Sequence, residues 1–358
     1  MRNDEFGHIS SPNSSFLIYH SSLLNNLIFN FLTKNTEGVS YNMKNVLLLE
    51  TIADDAFGLL TNAENIKIFT AYGDEPLAKI MAENAIHAVI TRGKGQVNKA
   101  LMTACPDLQV AARCGVGLDN VDVKEATARK IKVVNAPGSN AATIAEHTIS
   151  LMLMLQRNLY QSINEVKAGN WEARNHFQGD ELNGKTLGIL GLGNIGQKVA
   201  KIADAFGMKV IYWNRSKVKN DYDYVSFEEV LRQSDIISIH LPYVSETHHL
   251  IDAKAFSLMQ PHAILINTAR GTIVNQAILY ENLANKTIAG FGADVLATEP
   301  PAPNDPLLTH PKALITAHVG SLSATTYTKM CVSTVQNVLA ILADREPQME
   351  SVFNRKEL

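Results

Sequence analysis

The sequence predicts an α/β protein built from two doubly wound parallel-sheet domains. Three observations lead to this fold class. From Met43 onwards, short apolar runs alternate with helix-like segments, the pattern typical of β-α-β units. A long apolar segment over residues 141–156 interrupts the alternation, which restarts after Gly184. With 358 residues, the chain is also long enough for two domains.

The first half of the alternation predicts a small flavodoxin-like domain. Helical patterns lie between the strands, for example over 75–83 and 97–104. The five predicted strands cover residues 46–49, 66–69, 88–91, 108–112 and 132–135.

The second half predicts a dinucleotide-binding domain, because six strands with crossover helices describe that fold. The predicted strands cover residues 186–190, 209–213, 236–240, 263–267, 288–292 and 313–316. A last helix is predicted over residues 321–343. His147, on the long helix 141–156, and Trp171, after it, are interpreted as packing residues.

The first 42 residues lack a clear period and are predicted to be a disordered extension. Residues 16–32 are partly apolar, but they are too short and too polar to span a bilayer. Acidic Asp4 and Glu5 offset Arg2, so the segment also makes a poor signal peptide. We therefore expect no membrane partner.

Composition narrows the functional classes. The net charge of −3 gives no electrostatic footprint for nucleic acid, so no such partner is expected. The three cysteines are scattered and form no CxxC pair, which argues against a disulfide framework and a cysteine metal site. This cysteine usage fits a reducing cytoplasm.

A glycine-rich turn follows the first strand of the second domain. Gly191, Gly193 and Gly196 form G-x-G-x-x-G between an apolar strand and a helix. The first glycine permits the tight turn, the second lets the backbone approach a pyrophosphate, and the third allows close helix packing. The helix N-terminus supplies N–H groups for the anion. The pattern therefore predicts an NAD(P) cofactor.

The end of the next strand bears on which nicotinamide cofactor is used. An acidic residue there usually binds the ribose hydroxyls of NAD. This chain has Asn214, Arg215 and Ser216 instead. Arg215 could pair with the 2′-phosphate of NADP, or lie across the adenine face of NAD. The missing acid and the basic neighbourhood favour NADP.

Three residues at strand ends match the chemistry of 2-oxo acid reduction. That reaction needs a cation for the substrate carboxylate and carbonyl, a proton donor, and a carboxylate that keeps the donor protonated. Arg270, Glu299 and His318 each follow a predicted strand, at the edge where open α/β sheets bind ligands.

At this point the sequence resembles the D-isomer-specific 2-hydroxyacid dehydrogenase family, from about residue 43 to about 353. The motifs are specific in combination. They are RCGVGLDNVD (113–122), NAPGSN (135–140), AEHT (145–148), GLGNIG (191–196), HLP (240–242), NTARG (267–271), DVLATEPP (294–301) and AHVGS (317–321).

The resemblance implies a role for each matching residue. Arg270 would bind the substrate carboxylate and carbonyl, His318 would be the acid/base, and Glu299 would raise the pKa of His318. The loop at Val116 and Gly117 would meet the substrate carboxylate. Further cofactor-binding positions would be Asn194, Ile195, Leu241, Pro242, Thr247, Thr268, Ala269, Asp294 and Gly320.

The resemblance also implies a discontinuous layout. A Rossmann cofactor domain over 142–320 would be inserted into a substrate domain formed by 43–141 and 321–358. In this family the cofactor domains pair, so a homodimer is expected. The helix over 141–156 is apolar around more of its circumference than one core face needs, which suits a subunit interface or burial within the monomer.

Two questions stay open. A branch of the family resembles corepressors that sense NAD(H), so a binding protein is the alternative to an NAD(P)-dependent reductase of small 2-oxo acids. The second question is the substrate: glyoxylate, hydroxypyruvate or 3-phosphohydroxypyruvate. Arg92 and Gly93 lie in a loop that should face the cleft, where Arg92 could bind a second anionic group or be a solvated charge.

Overall fold

The computed structural model describes residues 43–358, and the predicted extension over residues 1–42 lies outside the described residues. The first part of the described chain forms a five-stranded sheet of order β2-β1-β3-β4-β5. Parallel pairing joins β1 to β3, β3 to β4 and β4 to β5. Its strands are Lys44–Leu48 (β1), Ile66–Thr70 (β2), Ala88–Thr91 (β3), Val110–Arg113 (β4) and Lys132–Val134 (β5).

Helices cover this sheet because their apolar faces bury against it. Four of them lie between its strands, at Asp54–Thr61 (α1), Leu77–Glu83 (α2), Lys99–Ala104 (α3) and Val123–Ala128 (α4). The late helix Ala324–Leu342 (α11) joins the same core, where Val335 and Val338 pack with residues of β1, β3 and β4. The chain end is fixed there too, since buried Asn354 accepts a hydrogen bond from the Val133 N–H at 2.9 Å.

The second sheet has seven strands in the order β12-β11-β10-β9-β6-β7-β8. They are Thr186–Leu190 (β6), Lys209–Trp213 (β7), Asp223–Tyr224 (β8), Ile236–Ile239 (β9), Ile264–Asn267 (β10), Gly290–Ala293 (β11) and Ala313–Ile315 (β12). The sequence predicted six strands for this sheet. The seventh, β8, was missed because two residues are too few to show a periodic pattern. Neighbouring strands are parallel throughout.

The helices of this second part are Ala141–Gln156 (α5), Leu159–Lys167 (α6), Asn194–Ala205 (α7), Phe227–Gln233 (α8), Ala253–Leu258 (α9) and Gln276–Ala284 (α10). Helix α5 packs inside the chain, since Leu151 and Met152 are buried in one core with β6, β7 and α7. Leu153, Met154 and Leu155 are only partly buried, so burial within the monomer covers part of its apolar circumference. In contrast, α6 has no buried residue, and the side chain of Trp171 is 63% exposed. The interpretation of Trp171 as a packing anchor is wrong within this chain.

The structure confirms the predicted fold class of two parallel-sheet α/β domains. In the second sheet, β6 lies between β9 and β7, so the strand order reverses at β6. In open α/β sheets a ligand crevice forms at such a switch point, beyond the carboxyl ends of the strands. This places the glycine-rich turn after β6 at the crevice.

Candidate active site

The glycine-rich turn has the geometry of a phosphate cradle. Gly191 has a φ of +100°, and a side chain there would meet the carbonyl of His240 at 2.7 Å. A side chain at Gly196 would overlap the carbonyl of Gly191. At Gly193, no described atom beyond the neighbouring residues along the chain lies within 4 Å of the position a Cβ would take. Asn194 and Ile195 then open helix α7, whose first N–H groups have no partner within the helix. The turn therefore fits a dinucleotide pyrophosphate.

The end of β7 presents an amide rather than a carboxylate. The side-chain oxygen of Asn214 accepts a hydrogen bond from the backbone N–H of Leu192 at 2.7 Å, which ties it to the glycine-rich turn. With its oxygen so occupied, the Asn214 amide offers N–H donors to a ligand. Arg215 and Ser216 are exposed beside it. The pKa of Glu246 is lowered mainly by hydrogen bonds from its own backbone and from the Ser245 hydroxyl. The positive charge of Arg215 lowers it further, to a smaller extent.

The loop after β9 lies next to this turn. The side chain of Leu241 lies beside Gly191. Its Cδ2 is 3.1 Å from the position that a Cβ at residue 191 would take. Buried Thr247 closes the loop, because its hydroxyl donates to the carbonyl of Pro242 at 2.9 Å and accepts from the N–H of Val244 at 2.9 Å. Thr247 therefore fixes the loop that carries Leu241 and Pro242 next to the glycine-rich turn.

His318 and Glu299 form a hydrogen-bonded pair, with Nδ1 of the imidazole 2.7 Å from Oε2 of the carboxylate. The carboxylate is oriented from its other oxygen, which accepts from the N–H of Leu296 at 3.0 Å. The hydrogen bond from Glu299 raises the pKa of His318 against the opposing effect of burial. Burial would raise the pKa of Glu299, but the bonds from His318 and Leu296 lower it. The pair therefore favours imidazolium beside carboxylate.

Asp294 holds the loop that carries His318. It is 2% exposed, and its two oxygens accept from the N–H groups of Val319 at 2.9 Å and Gly320 at 2.8 Å. The loop needs such support because His318 has a φ of +54°, a conformation unusual for a residue with a side chain. A side chain at Gly320 would lie 2.7 Å from Asp294 Oδ2. Asp294 thus fixes the backbone of the loop that carries the imidazole.

Arg270 lies in the turn after β10. Asn267, at the strand end, shapes this turn by donating to the carbonyl of Arg270 at 2.9 Å and accepting from the N–H of Ala269 at 3.0 Å. Next to it, the Thr268 hydroxyl is buried and bonds to the Thr148 hydroxyl at 2.9 Å. The guanidinium of Arg270 reaches across to Asp119, with Nη2 at 2.9 Å from Oδ2.

The loop after β4 faces Arg270. Asn135 fixes this loop by donating to the carbonyl of Val116 at 2.7 Å. At Gly117 a side chain would overlap Nη2 of Arg270 and lie 2.9 Å from Nη1 of Arg113. The loop at Val116 and Gly117 therefore lies against the guanidinium of Arg270.

The loop over residues 91–95 is held by Glu50. One oxygen of that carboxylate accepts from the Thr91 hydroxyl and from four backbone N–H groups, at 2.7–3.1 Å. The N–H of Gly93 is one of the four, so it is already paired. Arg92 donates to the Tyr327 hydroxyl at 3.3 Å, and its guanidinium lies 5.6 Å from the centre of that ring.

Comparison with known proteins identifies the family. Residues 149–320 match the family model described as D-isomer specific 2-hydroxyacid dehydrogenase, NAD binding domain. The chain is 35% identical over 289 residues to a hydroxypyruvate reductase of Thermotoga maritima, covering 79% of this chain and 94% of that protein. The chain belongs to the D-isomer-specific 2-hydroxyacid dehydrogenase family. This confirms the resemblance, and the protein is an oxidoreductase acting on CH–OH donors with a nicotinamide cofactor.

Two other members of the family are informative. A D-3-phosphoglycerate dehydrogenase of Archaeoglobus fulgidus is 36% identical over 282 residues, which are 77% of this chain but only 53% of that protein. The crystal structure of an NADPH-dependent glyoxylate/hydroxypyruvate reductase of Sinorhizobium meliloti is similar with a TM-score of 0.77 and 29% identity. That likeness covers 85% of this chain and 96% of that one.

The sequence patterns did not identify several residues of this site. Asp119 and Arg113 lie inside the motif RCGVGLDNVD (113–122), which identified their segment but gave neither residue a role. Glu50 follows an apolar strand, and no local pattern indicates that a carboxylate there accepts backbone N–H groups. His147, interpreted as a packing residue, bonds to the Thr316 hydroxyl at 2.8 Å and lies 3.5 Å from Asp294.

Two properties of residues 43–358 concern metal ions and membranes. Within that range, no group of three or more His, Cys, Asp or Glu side chains is arranged to hold a metal ion. The same residues contain no helix that is both long enough and apolar enough to cross a bilayer.

Proposed function

We propose that the protein reduces a small 2-oxo acid, of the glyoxylate or hydroxypyruvate class, to a D-2-hydroxy acid. The observation that carries this proposal is the 2.7 Å pair of His318 and Glu299, which lies close enough to Arg270 for the guanidinium charge to act on both groups. Such a pair keeps a proton donor charged near neutral pH, and a guanidinium binds a carboxylate and polarises the adjacent carbonyl.

Each residue has a defined task in the proposed reaction. When bound, the reduced nicotinamide supplies the hydride. Arg270 holds the substrate carboxylate and stabilises charge that develops on the carbonyl oxygen. His318, whose Nδ1 is bonded to Glu299, donates the proton on Nε2 to that oxygen. Glu299 and Asp294 orient the imidazole for this transfer.

The charges around the cleft support a monoanionic substrate. Arg92 lies beside the Glu50 carboxylate, and Asp119 lies between Arg113 and Arg270. The Arg92 guanidinium also donates to the Tyr327 hydroxyl, which leaves Arg270 as the guanidinium proposed to bind the substrate carboxylate. The pairing of the other two guanidinium groups favours glyoxylate or hydroxypyruvate over a phosphorylated 2-oxo acid.

We further propose that the cofactor is NADP rather than NAD. Asn214 brings no negative charge to repel a 2′-phosphate, and its amide offers donors to an acceptor-only phosphate. Exposed Arg215 and Ser216 lie next to it and could bind the same group. In the alternative, Arg215 lies across the adenine and Asn214 binds the ribose of NAD.

The proposed domain division assigns residues 43–141 and 321–358 to the substrate domain and 142–320 to the cofactor domain. Helix α11 and buried Asn354 support it, because both are held by the first sheet. We also propose a homodimer. An unburied apolar surface on α6 and the short helix Trp171–His176 supports it, with Ile163 47% exposed and Trp171 63% exposed.

A substrate panel tests the proposed function. Glyoxylate, hydroxypyruvate and 3-phosphohydroxypyruvate would each be given with NADPH and with NADH, following the loss of absorbance of the reduced cofactor. We expect turnover of the first two and a preference for NADPH. In Asn214→Asp the preference should move towards NADH, since a carboxylate binds ribose hydroxyls and repels a phosphate; Asp223→Asn is the control. No oxidation with any 2-oxo acid would refute the reductase, and a wild type preferring NADH about tenfold would refute NADP.

A further inference from the structure

We propose that Asp119 is a positioning residue that orients the guanidinium of Arg270 across the cleft. Asp119 lies in the loop after β4 of the first sheet, and Arg270 lies in the turn after β10 of the second. Their contact therefore links the two sheets and exists only when the loops are close together. This inference rests on the proposed function, because Arg270 is the group that Asp119 positions.

The hydrogen bonds of Arg270 define the orientation. Nε and Nη2 donate to the two oxygens of Asp119, at 3.3 and 2.9 Å, so the carboxylate binds the guanidinium in a bidentate manner. Nη1 donates to the carbonyl of Ala269 at 2.7 Å. A guanidinium has five N–H groups, and these contacts use three. One donor is left on each Nη, which is enough for a bidentate bond to a substrate carboxylate.

Packing around the pair restricts where the guanidinium can go. Gly117 lies directly against it, since a side chain at that position would overlap Nη2 of Arg270 and lie 2.8 Å from Oδ2 of Asp119. Arg113 approaches the same Asp119 oxygen with Nη1 at 3.5 Å and is itself fixed by donating to the carbonyl of Arg92 at 3.0 Å. The Asp119 carboxylate thus separates two cations that would otherwise repel each other.

Asp119 is suited to orientation more than to stability. Its side chain is 57% exposed, so the ion pair contributes little to the folding free energy. Burial would raise the pKa of Asp119, but the hydrogen bond and charge of Arg270 lower it, so the carboxylate is ionised at neutral pH. The opposite role, in which Asp119 competes with the substrate for Arg270, predicts the opposite change in affinity.

The first experiment compares Asp119→Asn and Asp119→Glu with wild type in the full chain. For Asp119→Asn we expect kcat/KM for glyoxylate to fall about tenfold or more, mainly through KM, with the Kd for NADPH within about twofold. Asp119→Glu keeps the carboxylate and should recover part of the loss. Asp107→Asn, an exposed residue of the same domain, is the matched control. A lower KM in Asp119→Asn would show competition and overturn the proposal.

A double-mutant cycle separates positioning from a general structural effect. The Kd for oxamate, a carboxylate mimic of a 2-oxo acid, would be measured by calorimetry in wild type, Asp119→Asn, Arg270→Lys and the double variant. If Asp119 acts through the guanidinium, Asp119→Asn should weaken oxamate binding much less in the Arg270→Lys background than in wild type. The reason is that lysine cannot form the bidentate bond. Additive losses would overturn the proposal. A wild type that turns over no 2-oxo acid would instead refute the proposed function.

Discussion

Replacing Glu50 with glutamine should destabilise the protein at neutral pH and loosen the loop over residues 91–95. One oxygen of Glu50 accepts four backbone N–H groups and the Thr91 hydroxyl. Although burial alone would raise it, these bonds lower the pKa of Glu50 from 4.5 to about 2. Glutamine has no charge, and it would turn an N–H group towards donors if its amide were reversed.

The magnitude follows from the linkage between pKa and stability. Lowering the pKa of Glu50 from 4.5 to about 2 corresponds to about 3 kcal/mol, and partial exposure of the side chain reduces this to about 2 kcal/mol. Because the folded-state pKa is the lower one, this stability is present above pH 4.5 and is lost as the pH falls towards 2. Wild type and Glu50→Gln should therefore differ most near neutral pH and converge in acid.

Urea unfolding followed by circular dichroism at several pH values between about 7 and 3 measures this difference. Glu64→Gln, which replaces an exposed glutamate of the same domain, serves as the control and should follow wild type. If Glu50→Gln were as stable as wild type at pH 7, the bonds to the loop would contribute no net stability. A deficit that is independent of pH would refute the electrostatic cause.

Three further predictions concern catalysis and assembly. In Glu299→Gln, reduction should decline at a lower pH than in wild type, because the hydrogen bond that raises the pKa of His318 loses its charge; an unchanged pH–rate profile would show that the pair is uncoupled. Arg270→Ala should fold normally but lose about 3–5 kcal/mol of transition-state stabilisation in kcat/KM, and retention of most activity would remove Arg270 from the mechanism. Ile163→Glu places a charge on the exposed face of α6 and should convert a dimer to a monomer in light scattering; a wild type that is already monomeric at micromolar concentration would refute the dimer.

Local sequence patterns predicted most of the fold and part of the candidate site. The G-x-G-x-x-G turn could be predicted because its three glycines lie within residues 191–196, between one strand and one helix, and Gly196 packs directly against Gly191. Strand β8 could not, because two residues have no period. The burial of helix α5 could not be predicted either. Its apolar sequence is equally compatible with burial by its own chain and with burial by a second copy.

Contacts between distant segments were beyond local reasoning. Asp119 and Arg270 are 151 positions apart, and Glu50 is separated by more than 40 from the loop it holds. Neither pairing follows from spacing, since each depends on which strand ends are adjacent in the folded sheet. For the same reason the role of Asp294 as an anchor of the His318 loop emerged only from its hydrogen bonds.

Arg270, His318 and the loop over residues 91–95 are each held by a carboxylate, and this predicts an asymmetric dependence of activity on pH. The pKa of Glu50, of Asp119 and of Glu299 is lowered by the hydrogen bonds each accepts, although burial opposes the shift in every case. The pKa of His318 is raised by Glu299. On the basic side, loss of the imidazolium proton therefore limits reduction. On the acidic side His318 stays charged, so activity should fall only where the supporting carboxylates gain protons and release the groups they orient.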